Sequence, residues 1–126
     1  MLKSILLVGA GSFVGGIVRY LLLLLIKSPG HGFPLSVLLV NLIGCFLIGL
    51  FYGIFSRIPD SNRELLLLLT TGICGGFTTF STFANDSLQL LQQQNWLASG
   101  IYIAVSVIGG ILLTFAGYAL VNVISR

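Results

Sequence analysis

Four long apolar runs, separated by short polar turns, decide most of what this chain can become. They cover residues 4–26, 35–55, 64–88 and 97–124. Each is near or above the ~20 residues that a helix needs to cross the hydrocarbon core of a bilayer. Only 7% of the 126 residues are charged, against roughly 25% in a soluble domain. The reading is an all-α integral membrane protein of four transmembrane helices, forming one domain over residues 1–126. No repeat or low-complexity tract suggests a second unit.

The turns carry their own signals. Between runs one and two, Lys27 to Pro34 holds two prolines and two glycines, which stop a helix. Between runs two and three, Ser56 to Glu64 is polar, and Asp60 or Ser61 is the expected helix cap. Gln89 to Asn95 reads as a polar linker, and Trp96 as an anchor at the membrane interface. Lys3 followed by an apolar run resembles a secretory leader, but Arg19 interrupts the run and no small-x-small site follows it, so a retained span is expected. An even number of spans places Lys3, Arg57, Arg63 and Arg126 on one side and Lys27 on the other, a modest bias towards cytoplasmic termini. The net charge of +3 is too small and scattered for a nucleic-acid surface.

Run three is not a plain anchor. Gly72 to Asp86 carries three glycines, four hydroxyls and an acid. Gly75-Gly76 followed by Thr78-Thr79 makes a poor helix interior, because glycine is flexible and threonine stiff at its first side-chain torsion. At bilayer depth a broken helix is tolerated only where protein or a wet cavity satisfies the freed backbone groups. The third helix is therefore expected to break near its middle, within residues 75–79, beside a site. Gly11 with Gly15, Gly49 with Gly53, and Gly72 with Gly76 have the small-x3-small spacing that lets helices approach closely.

Several polar residues inside the runs each admit two readings. Arg19 either snorkels to the interface or gives positive potential to a vestibule. Asn41 is costly in lipid, so it either bonds a neighbouring helix or donates to a permeating ion. Asp86 is either an interfacial acid or the end of a relay through Thr82 and Thr79, four and seven residues back. Phe80 and Phe83 share a face flanked by Ser81 and Thr82; they either pack or offer positive ring edges to an anion. Tyr102, Ser106 and Gly110 are spaced by four, as a packing seam or as hydroxyl donors. Cys45 and Cys74 read as small buried apolar residues. The lone histidine, His31, has no Cys/His partner set, and no phosphate loop or nucleophile arrangement appears, so an enzyme is not expected.

Gly-Gly-x-Thr-Thr-Phe-Ser-Thr-Phe (residues 75–83), Gly-x3-Arg-Tyr (15–20) and Val-Asn-Leu-x-Gly (40–44) together resemble the Fluc (CrcB-type) fluoride channels, over essentially the whole length. The resemblance implies an antiparallel, dual-topology homodimer in a bacterial inner membrane, with fluoride pores at the subunit interface. It implies a structural sodium ion (Na+) on the two-fold axis, held by backbone carbonyls of Gly75 and Thr78. It further implies that Asn41, Phe80, Phe83, Ser81, Thr82, Tyr102 and Ser106 line the fluoride path, with Arg19 in a vestibule. Asp86 stands where the family commonly carries Glu, and Gly110 where a hydroxyl would lengthen the track. The competing expectation, a small multidrug-type dimeric transporter, needs an acid in span one, which has none.

Overall fold

The computed structural model describes residues 1–126 apart from His31 and Ser61. The sequence readings at those two residues lie outside the described set. The fold is all-helical, with four helices long and apolar enough to cross a membrane. Helix α1 is Leu2–Leu25 and α2 is Leu35–Phe55. The third passage, Arg63–Gln92, is interrupted; α3 denotes residues 63–77 and α4 denotes Phe80–Gln92. Helix α5 is Trp96–Ile124. Two stretches wind more loosely as π-helix, Leu68–Cys74 within α3 and Val105–Gly109 within α5.

Glycine sets which helices touch. A Cβ on Gly15 would overlap the Ile73 carbonyl, and one on Gly76 would lie 2.5 Å from the Ser12 carbonyl. Thus α1 and α3 meet backbone to backbone. A Cβ on Gly49 would overlap the Thr114 carbonyl, and one on Gly117 the Phe46 carbonyl, so α2 and α5 meet in the same way. Without a hydrophobic drive between helices in lipid, such close packing and interhelical hydrogen bonds carry association. These two pairs make the most extensive packings in the molecule. The buried apolar cluster of Leu38, Leu90 and Tyr102, ringed by Phe33, Leu42, Phe83 and Ala98, closes the loop-side end where α2, α4 and α5 converge.

Three expectations change. The cap of α3 is Asn62, whose Oδ1 accepts from the N–H groups of Glu64 (3.0 Å) and Leu65 (3.1 Å), and not Asp60, whose φ of 58° keeps it in the turn. Residues 89–92 are helical rather than linker, because Leu90 is drawn into the buried cluster and Ser87 donates back to the Phe83 carbonyl at 2.8 Å. The break is confined to Thr78 and Thr79, while Gly75–Phe77 stays helical. Gly76 serves the crossing with α1 instead of the break.

Candidate ion pathway

The break is built from both sides. Thr78 and Thr79 are extended, with φ of −85° and −147°. In an unbroken helix the N–H of Thr79 would donate to the Gly75 carbonyl, and that of Thr82 to the Thr78 carbonyl. Here the Thr79 N–H donates to Asn41 Oδ1 at 2.8 Å, and the Thr82 N–H donates to Thr79 Oγ1 at 3.3 Å. Asn41 Nδ2 returns a bond to the Thr79 carbonyl at 3.0 Å. A single amide side chain on α2 thus completes both backbone groups of one residue across the helix gap. The carbonyls of Gly75 and Thr78 lose their helical donors. Thr78's accepts from Arg19 Nη1 at 3.2 Å, whereas Gly75 is exposed in the single chain.

The aromatic face lies just beyond. Phe80 is 78% exposed, and its ring sits 5.6 Å from that of Phe83, which in turn lies 5.3 Å from the Tyr102 ring. Tyr102 is fully buried and donates from its hydroxyl to Asp86 Oδ2 at 3.2 Å. Thr79 Oγ1 donates to Thr82 Oγ1 at 3.0 Å and lies 3.5 Å from Ser81 Oγ. Of the three residues considered for a relay, Thr79 and Thr82 are joined, while Asp86 pairs with Tyr102 across the α4–α5 hairpin. The Ser106 hydroxyl, in the π-turn of α5, is buried without a partner among the described residues.

A cavity of about 460 Å³ gathers Asn41, Gly75, Thr78, Thr79, Phe80, Phe83 and Ser106 on one wall-to-wall surface. Ser81, Thr82, Asp86 and Tyr102 do not line it, nor does Arg19, which reaches the break from α1. The cavity also has Cys45 and Tyr52 in its lining, two residues whose part in it no sequence motif announced. The only signal for Tyr52 was a phenol in an otherwise apolar helix end. Among the described residues no cluster of three His, Cys, Asp or Glu side chains gathers to hold a metal.

Four helices long and apolar enough to span, a broken third passage, an amide clamp and two phenyl rings on one cavity define a multi-pass membrane protein with a candidate ion path. Residues 6–118 match the family model described as CrcB-like protein, Camphor Resistance (CrcB). A protein of Phocaeicola vulgatus named fluoride-specific ion channel FluC is 47% identical over 117 residues, covering 92% of this chain and 96% of the relative. Proteins of the same name from Prosthecochloris aestuarii and Chlorobium phaeobacteroides are 41% and 44% identical, covering 96% and 93% of this chain and 94% and 91% of their own lengths. The chain belongs to the CrcB family, a family of ion channels and not of enzymes.

Proposed function

We propose that this chain forms a passive fluoride channel in the bacterial inner membrane, working as an antiparallel dual-topology homodimer. Near-full-length similarity to proteins named fluoride-specific ion channels supports the ion. The observation that carries the mechanism is the convergence of Asn41, Phe80, Phe83 and Ser106 on one cavity. Fluoride is small and strongly hydrated, so its water has to be replaced by donors that do not hold it too tightly. Ring edges and a free hydroxyl are such donors, and no fixed charge lines the cavity. Phe80 and Phe83 flank the ion, Ser106 donates to it, and Asn41 keeps the break open. Ser81 and Thr82 supply further hydroxyls along the path, and the Tyr102–Asp86 pair fixes the Phe83 ring. Arg19 provides positive potential near its entrance. A multidrug-type transporter is not favoured, because α1 offers Lys3 and Arg19 and no acid.

Exposed Gly75, whose carbonyl has lost its helical donor, and the largely exposed Phe80 ring support the dimer. An unsatisfied carbonyl facing lipid costs several kcal/mol, so protein or water has to cover it. A second copy brings its own Gly75 and Thr78 carbonyls to the same axis. Those oxygens, released from helical bonding, suit a hard monovalent cation such as sodium, which would neutralise the converging carbonyl dipoles and tie the subunits together. Arg19 shares the Thr78 oxygen and fixes its direction.

The test is anion efflux from liposomes holding the purified protein. Fluoride leaves and chloride stays, and Phe80→Ile or Asn41→Asp abolishes the flux. Absence of fluoride flux from well-inserted protein would overturn the reading.

A further inference from the structure

The 460 Å³ cavity does not end at Ser106. A second cavity, of about 620 Å³, is an open and mostly apolar groove along the α2–α5 seam, lined by Gly49, Tyr52, Ser106, Gly110, Thr114 and Tyr118 among others. The two share Cys45, Tyr52, Ser106 and Val107. Helix order gives the direction. Tyr52 lies three residues before the end of α2, and Tyr118 six before the end of α5, both on the side of the chain termini. Phe83 and Tyr102 lie towards the opposite side. An anion that reaches Ser106 from the phenylalanines therefore still has the terminal half of the bilayer to cross.

Donors in that half are few: Thr70 and Thr71 line the first cavity but not the second, and the Thr70 hydroxyl donates back to the Leu66 carbonyl at 2.8 Å. The Thr114 hydroxyl is at hand, but its proton is committed to backbone carbonyls, Gly110 at 2.9 Å and Cys45 at 3.1 Å. Gly110 contributes no hydroxyl. Among the described residues, no hydrogen bond engages the phenols of Tyr52 and Tyr118, both of which are more than a third exposed. Tyr52 alone of the two lines both cavities. We infer that Tyr52 is the donor that receives fluoride from Ser106 and passes it into the second cavity, where Tyr118 is the next donor. The inference rests on the fluoride-channel reading and extends its path through the terminal half of the membrane. A neutral phenol suits the role: it offers one O–H to the ion and no charge to trap it.

The experiment compares fluoride efflux from liposomes for the unmodified protein, Tyr52→Phe, Tyr52→Trp, Tyr118→Phe and Phe80→Ile. Tyr52→Phe keeps the ring and removes only the donor. Losing a hydrogen bond to a charged group slows the flux by about tenfold or more, with the thermal midpoint and elution volume in detergent unchanged. Tyr52→Trp retains an N–H donor and restores part of the flux, which a packing role would not explain. Tyr118→Phe gives a smaller loss. If Tyr52→Phe conducts like the unmodified protein while Phe80→Ile does not, this assignment is overturned and the channel reading stands. If Tyr52→Phe and Tyr52→Trp lose flux equally, or Tyr52→Phe loses its thermal midpoint, the donor role is likewise rejected in favour of packing. No fluoride release from the unmodified protein overturns both.

Discussion

Asn41 illustrates how one side chain can have a structural task at the centre of a transport site. Its amide presents an acceptor oxygen and two N–H donors, and it spends the oxygen and one N–H on the two backbone groups of Thr79. Asn41→Leu would leave an N–H and a C=O unpaired at bilayer depth, each costing about 1–3 kcal/mol. The expected result is a lowered thermal midpoint in detergent, accompanied by lost flux. Asn41→Asp would keep the acceptor but face the Thr79 carbonyl with a carboxylate oxygen, so it should also lower the midpoint. If either variant lost flux at an unchanged midpoint, the amide would be acting on the ion directly. Arg19 has a related role, since its guanidinium reaches the Thr78 carbonyl at 3.2 Å. Arg19→Met would release that oxygen, and the expected readout is a changed preference among Na+, K+ and Li+ for holding the dimer together in detergent.

At the scale of elements, glycines divide into those that set a crossing and those that do not. Gly49→Ala would push α2 from α5, because the new methyl overlaps the Thr114 carbonyl. Gly16→Ala meets nothing within 4 Å and adds helix propensity of about 0.5–1 kcal/mol. The first should reduce the yield of monodisperse protein and its thermal midpoint; the second should leave both unchanged or slightly raised. The four apolar helices and the bend in the third were legible because hydropathy and helix-breaking composition are local. The pairings that finish the site were not. Asn41 and Thr79 are 38 residues apart, and Tyr102 and Asp86 are 16 apart across a hairpin. Sequence spacing within one helix pointed Asp86 at Thr82, and a hydrogen bond from the neighbouring helix won. The cap of α3 fell to Asn62 because adjacent polar residues are chemically interchangeable as caps, and only the exact helix start chooses between them. The π-turns leave no sequence mark, yet the one at Val105–Gly109 holds the unpartnered Ser106 hydroxyl.

For the molecule as a whole, the proposed dimer turns on what the third passage leaves exposed. Gly75 and Phe80 are exposed in the middle of the third passage, where lipid would solvate neither the carbonyl nor the cavity behind them. Exchanging Na+ for a larger monovalent cation should shift the protein towards monomer in detergent and weaken flux; a dimer indifferent to the exchange would count against the axial cation. The ends are held as well: Arg57 donates to Asn122 Oδ1 at 2.6 and 3.0 Å, fastening the α2–α3 turn to the last turn of α5. The amide clamp carries one more consequence, for biogenesis. The third segment entering the bilayer by itself has the breaking composition and the Thr79 cap on the Thr82 N–H, but both backbone groups of Thr79 wait for Asn41 of the preceding span. The geometry of the break is then fixed during assembly, when the second and third spans dock, so a chain stalled before that point would carry Thr79 with its backbone unpaired and the cavity wall unfinished.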